Sequence, residues 1–215
     1  MIINHSLKFI FLHVPKTAGT SVTTWLGEYT GWNDIELGGT DYGEQIQVIY
    51  CSRFKLSKHS PASQIRRIVG PDIWNAYYKF AIVRHPLDRL VSAFQFYREW
   101  DHPGVAAAKK CRTFDLFLKS DYFDKDRRNC TRATGLQSTF LETPHNEALD
   151  RICRFETLAE DMDKVAQDLG IDPPQLSHQN PSKRGAYEAY FTPKTRSFAE
   201  TLYADDFRTF GYALS

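Results

Sequence analysis

Seven consecutive residues, Pro15-Lys16-Thr17-Ala18-Gly19-Thr20-Ser21, combine the groups that hold a phosphate-like anion. Gly19 permits close backbone approach, a helix starting beside it presents N–H groups, and Thr17, Thr20 and Ser21 add hydroxyl donors. Lys16 supplies a charge on a flexible stem. Alone, such a segment is more often a tight strand-to-helix connection with a solvated lysine, so its meaning depends on what accompanies it.

The companion is Phe80-Ala81-Ile82-Val83-Arg84-His85-Pro86, followed by Leu87 to Phe94. Arg84 ends an apolar run, and Ser92 lies about two helical turns further on. A guanidinium grips two phosphate oxygens and a serine hydroxyl adds a donor. The plainer roles are a surface salt bridge for Arg84 and helix packing for Ser92. Beside the first loop, the pair reads as a second anion grip. Arg89 has Asp88 next to it and is open to a structural role.

A triphosphate loop follows G-x-x-x-x-G-K-[ST], with Mg²⁺ held partly by a carboxylate that ends a later strand. Here Lys16 precedes Gly19, and the later run ends in Arg84. A metal-free anion site fits this order better than a P-loop kinase or triphosphatase does. A binding module without chemistry is the other alternative.

Elements of defined type must position these residues. Leu7 to Val14 is a short apolar run stopped by Pro15, the pattern of a buried parallel strand. Thr20 or Ser21 is placed to cap a helix through Val22, Trp25 and Leu26, with Gly31 as its stop. Asn33 to Ser60 lacks clear periodicity apart from Ile46–Tyr50, a short strand candidate. Pro61 opens a helix ending near Gly70-Pro71. Tyr78–Val83 reads as a strand, followed after Pro86 by a helix with Leu87, Leu90, Val91, Phe94 and Tyr97 on one face. Arg151–Phe155 reads as a third strand, with a helix from about Thr157 to Leu169 and a stop at Gly170. Pro193 to Tyr203 reads as helical, and the run Asp206 to Tyr212 carries aromatics suited to the core. Strands separated by helices point to an α/β domain with a central, mainly parallel sheet flanked by helices.

The 215 residues fit a single domain, 1–215. With 27 Lys plus Arg against 26 Asp plus Glu, the formal charge of +1 gives no global field to attract nucleic acid or an acidic membrane. Cys51, Cys111, Cys130 and Cys153 lack metal-site spacing and read as scattered thiols. The N-terminus lacks a signal-peptide pattern, and its apolar run is too short to span a bilayer. As given, the chain reads as soluble and cytoplasmic, although an excised catalytic domain would read the same.

Three segments resemble the sulfotransferases, particularly the Golgi carbohydrate type and its soluble bacterial relatives: His13 to Ser21, Phe80 to Phe94, and a less specific C-terminal region. That region comprises Arg154–Leu158, Asn180–Arg184 and Asp205–Tyr212. The resemblance implies a P-loop nucleotide-kinase-like layout and transfer of a sulfuryl group from 3′-phosphoadenosine-5′-phosphosulfate to a hydroxyl of a carbohydrate or glycolipid. The product would be 3′-phosphoadenosine-5′-phosphate, and no metal is required. It assigns Lys16, Thr17, Ala18, Gly19, Thr20 and Ser21 to the 5′-phosphosulfate, with Lys16 near the bridging oxygen. It assigns Arg84 and Ser92 to the 3′-phosphate, with Lys183 or Arg184 closing over it.

The acceptor hydroxyl needs a base. By resemblance this is a histidine or an acid between the first two motifs, and His59 is the candidate because a histidine pKa lies near neutrality. Glu36, Asp41 and Glu44 are its rivals, while His13 is better suited to fixing the loop. His85 either reaches the donor or ends its strand. Trp100, Tyr122 and Phe123 are candidates to stack on an acceptor sugar, and Trp74, Tyr77, Tyr78 and Phe80 read as core.

Overall fold

The computed structural model describes residues 1–175 and 185–214. In chain order the elements are β1 (Ile2–Asn4), β2 (Phe9–Leu12), α1 (Gly19–Gly27), β3 (Ile35–Glu36), α2 (Asp41–Phe54), α3 (Ala62–Ala76), β4 (Tyr78–Val83) and α4 (Pro86–Glu99). They continue with α5 (Ala106–Lys109), α6 (Phe114–Leu118), α7 (Asp121–Arg127), α8 (Gln137–Leu141), β5 (Arg151–Arg154), α9 (Leu158–Leu169), α10 (Pro193–Leu202) and α11 (Ala204–Phe210). Two compact units emerge: Met1–Val83 with the described part of Phe140–Ser177, and Arg84–Thr139 with the described part of His178–Ser215.

The first unit carries the sheet, in the order β3-β1-β2-β4-β5 among the described residues. β2, β4 and β5 pair in parallel, with Phe11 opposite Phe80 and Ile82 opposite Cys153. β1 is antiparallel to both β2 and β3. Hence β3 runs with the parallel strands and β1 runs against them. The sheet is mixed but mainly parallel, as the alternation of strands and helices predicts.

Every residue of β2, Phe-Ile-Phe-Leu, is buried, as a strand covered on both faces requires. Phe11 stacks on Phe80 at 5.0 Å between ring centroids. Against them pack Val22, Trp25 and Leu26 of α1 and Met162, Val165 and Ala166 of α9. The i, i+3, i+4 spacing in α9 builds one apolar stripe, and Gly170, at φ 68°, ends the helix in the left-handed conformation. Trp74 and Phe80 are fully buried, while Tyr77 and Tyr78 are half-buried.

Several sequence expectations change here. Ile46–Tyr50 lies inside helix α2 instead of forming a strand. The Thr40 side chain caps this helix by accepting from Gly43 N–H at 3.0 Å, and Asp41 and Glu44 occupy its positive end. That start carries the helix across the β-branched run. α1 begins at Gly19 behind Ala18, so neither Thr20 nor Ser21 is its cap. It ends at Gly27, before Gly31, because Glu28, Tyr29 and Thr30 donate to carbonyls three residues back and tighten the last turn. At Gly70, with φ 81° and ψ 164°, α3 kinks, and it then resumes from Pro71 to Ala76. β1 and β3 occupy segments where the sequence pattern showed no strand.

The second unit packs around α4. Leu87, Leu90, Val91, Phe94 and Tyr97 are buried with Phe114 and Phe117 on one side of the sequence and Tyr203 and Phe207 on the other. The closing aromatic run therefore joins the core as expected. A polar knot lies within the unit: Tyr97 and Thr134 hydroxyls donate to Asp126 Oδ2 at 2.7 and 2.6 Å. Thr192 and Thr195 form a reciprocal cap ahead of Pro193 and open α10. All four cysteines are free thiols. Among the described residues no helix is long and apolar enough to cross a membrane.

Candidate active site

The loop from β2 to α1 has an unusual backbone. Lys16 and Ala18 both take positive φ, 67° and 65°, while Thr17 between them does not. Alternation of this kind turns successive amide N–H groups toward one concave side, an arrangement that holds anions. α1 follows directly. Its N-terminus has no side-chain cap and no acid in its first turn, so its positive end is not neutralised by those means. Lys16 and Ala18 are half-buried, and Thr20 and Ser21 are exposed on the first turn.

Gly19 is the first helical residue, and a Cβ added to it would overlap the ring of His13. His13 in turn stacks on Phe11, 5.8 Å away, and is 4 % exposed. The histidine thus fixes the loop, the role its place at the strand end suggested. Thr17 is buried and its hydroxyl donates to Val14 O at 2.9 Å, so the side chain braces the turn.

His59 Nδ1 lies 2.9 Å from His13 O. A carbonyl only accepts, so Nδ1 carries the proton and Nε2 the lone pair. The two rings meet edge to face at 4.8 Å. Burial pushes the His59 pKa down to about 3, with the bond to His13 working in the opposite direction. The near-neutral pKa expected from the sequence is therefore corrected: His59 is a neutral imidazole throughout the physiological range. Burial also holds His13 well below its ordinary value.

Two of the three rival bases hold other partners. Glu36, 7 % exposed, accepts from the hydroxyls of Thr30 and Thr40. Glu44 pairs with Lys58 at 2.6 Å and accepts from Gly39 N–H. Burial raises its pKa, but these bonds outweigh burial and hold the carboxyl below its ordinary value. Asp41 is exposed in the first turn of α2.

In the second unit, Arg84 is 8 % exposed and its guanidinium meets Asp88 Oδ2 from two nitrogens, Nε at 2.8 Å and Nη2 at 2.7 Å. Asp88 is thus the partner of Arg84, and was readable at i, i+4 spacing. Arg89 instead donates to the carbonyls of Ala133, at 2.9 Å, and Gly135, contacts that tie α4 to the segment ahead of α8. Ser92 is half-buried one turn beyond Asp88, on the same face of α4. His85 takes the N-cap position of α4, its ring among Tyr187, Phe207 and Tyr212.

Sequence reasoning missed Gln137 and Asp206. Gln137, fully buried, accepts from Arg84 N–H at 3.0 Å and donates to Arg84 O at 2.9 Å. Nothing in its neighbourhood in the sequence pointed to that contact. Lys183 and Arg184 lie outside the described residues. Of the proposed sugar platforms, Phe123 is 1 % exposed, Tyr122 is wedged against Tyr97 and Phe117, and Trp100 already stacks on Phe96 and His102. Among the described residues no group of three or more His, Cys, Asp and Glu side chains is arranged to hold a metal ion.

A search of the curated proteins found no match. The family model described as the sulfotransferase family matches residues 1–213. A match of that extent covers both strand-to-helix loops and every strand of the sheet, and the chain belongs to the sulfotransferase family.

Proposed function

We propose that the chain transfers a sulfuryl group from 3′-phosphoadenosine-5′-phosphosulfate to a hydroxyl of a carbohydrate or glycolipid. The observation that carries the donor reading is the β2–α1 loop: alternating φ at residues 16–18 opening onto a helix end with neither a side-chain cap nor an acid. A phosphosulfate matches such a loop in charge and acceptor oxygens. The acceptor class rests on the resemblance of the three sequence segments to carbohydrate-modifying sulfotransferases.

When bound, the donor supplies an activated sulfuryl group on a phosphate leaving group. The backbone N–H groups of residues 17–19 and the hydroxyls of Thr20 and Ser21 hold its phosphosulfate end. Lys16 offsets the charge that grows on the departing phosphate, an interaction strongest in the transition state. Arg84 and Ser92 bind the 3′-phosphate, with Asp88 holding the guanidinium along the α4 face that bears the serine. Lys183 or Arg184 completes that grip. His59 offers its Nε2 lone pair to the acceptor hydroxyl, because its Nδ1–H is committed to His13 O. With its pKa pushed down to about 3, it is a weak base that aligns that hydroxyl and takes its proton only as the sulfur–oxygen bond forms.

Calorimetric titration with 3′-phosphoadenosine-5′-phosphate, and separately with ATP plus Mg²⁺, tests the donor. Binding of the bisphosphate is expected; tight binding of ATP with no response to the bisphosphate would sink the reading.

A further inference from the structure

The parallel ladder through β4 ends at Val83, paired with Arg154, and Arg84 is the next residue. A buried residue just past a sheet edge has a backbone N–H and C=O in need of partners. Both are met by one side chain. The Gln137 carboxamide accepts from Arg84 N–H at 3.0 Å and donates to Arg84 O at 2.9 Å, doing the work of a neighbouring strand. The carboxamide does not hold itself there by chance. Asp206, fully buried, accepts from Gln137 N–H at 3.0 Å, from Ser138 N–H and the Ser138 hydroxyl at 2.8 Å each, and from Gln137 Nε2 at 3.4 Å. One carboxylate thus caps the start of α8 and orients the glutamine.

We infer that Gln137, held by Asp206, is a positioning residue for donor recognition: it locks the backbone from which the Arg84 guanidinium reaches the donor's 3′-phosphate. The inference rests on the proposed role of Arg84. A guanidinium sits several bonds from its own Cα, so a small rotation of the Arg84 peptide moves its nitrogens far more than the backbone itself. Asp88 restrains the guanidinium end. Gln137 restrains the backbone end. Together they hold a fork whose donors must match phosphate oxygens in direction as well as distance.

The experiment compares calorimetric affinities of the full chain for 3′-phosphoadenosine-5′-phosphate and for adenosine 5′-phosphate, which lacks the 3′-phosphate. Gln137→Met keeps the length of the side chain and removes both hydrogen bonds. It is expected to weaken the bisphosphate about tenfold and to leave adenosine 5′-phosphate unchanged. In the background of Arg84→Ala, the same substitution should add no further loss. Equal losses for both nucleotides, or losses that add in the double variant, would overturn the inference. Should Gln137→Met fail to fold, Asp206→Asn loosens the glutamine while keeping the shape of the cap, and a smaller loss confined to the bisphosphate is expected. A folded Asp206→Asn protein with unaltered bisphosphate affinity would then overturn it. If Arg84→Ala alone leaves bisphosphate affinity intact, the donor reading itself fails, an outcome visible before Gln137 is touched.

Discussion

The His13 ring lies where a side chain on Gly19 would have to go. One residue directly follows the strand and the other begins the helix, so the contact sets how tightly the loop between them closes. Gly19→Ala is expected to force the ring or the helix start to move, costing about 1–3 kcal/mol of stability as overpacking does. Urea denaturation checks the stability, and titration with 3′-phosphoadenosine-5′-phosphate checks the loop. Undiminished affinity in the alanine variant would mean that the closed loop is not what binds.

Lys16 is expected to act mainly on the transition state. Lys16→Ala should lower turnover by about 10²–10³, the scale seen when one charge-stabilising donor is removed, while bisphosphate affinity changes far less. Steady-state kinetics beside calorimetry separates the two. Equal losses in both would place Lys16 in ground-state binding instead.

Two neutral histidines, His13 buried and His59 half-buried, give the fold an acid sensitivity of definite sign. In the unfolded chain each takes a proton near its ordinary value of 6.5, whereas in the folded protein burial holds His13 well below that and His59 at about 3. The unfolded state therefore binds more protons between those values, and stability falls as pH drops through this window and is fully restored above about 6.5. His59→Gln should flatten part of that slope in urea midpoints taken from about pH 7 to about pH 5. With His59 already neutral, kcat/KM should show no ascending limb near pH 6.5 that the His59→Gln variant abolishes; finding one would restore the near-neutral histidine expected from the sequence.

Gly70 separates strain from packing. Its φ of 81° and ψ of 164° belong to a region that side-chain-bearing residues avoid, yet a Cβ there would meet nothing within 4 Å. Gly70→Ala should cost about 1–3 kcal/mol from backbone strain alone, read as a lower melting temperature with unchanged donor affinity. An alanine variant as stable as the parent would show that the kink is not held in place.

The strands and helices that frame the two loops were legible because their apolar runs are long relative to their connections: Phe9–Leu12, Tyr78–Val83 and Leu158–Leu169 all stand where the pattern put them. What escaped was set by tertiary contact. Ile2–Asn4 becomes a strand only because β2 and β3 lie on either side of it. The Ala18 cap depends on a left-handed turn that Ser21 and Thr20, better capping residues, gave no hint of. The pKa of His59 depends on burial that no local spacing encodes. Gln137 meets Arg84 across 53 positions, a separation at which sequence pattern is silent.

The first unit is interrupted: β5 and α9 belong to it, yet the whole of α4 to α7 intervenes after β4. Lys79 N–H reaches Asp150 across 71 positions to anchor the edge where β5 joins. Closing so long a loop carries an entropic penalty that must be met before the parallel pairing returns anything. The final strand is thus a late arrival in folding. A chain emerging from synthesis therefore has an open sheet edge along β4 until residues beyond Asp150 have been made.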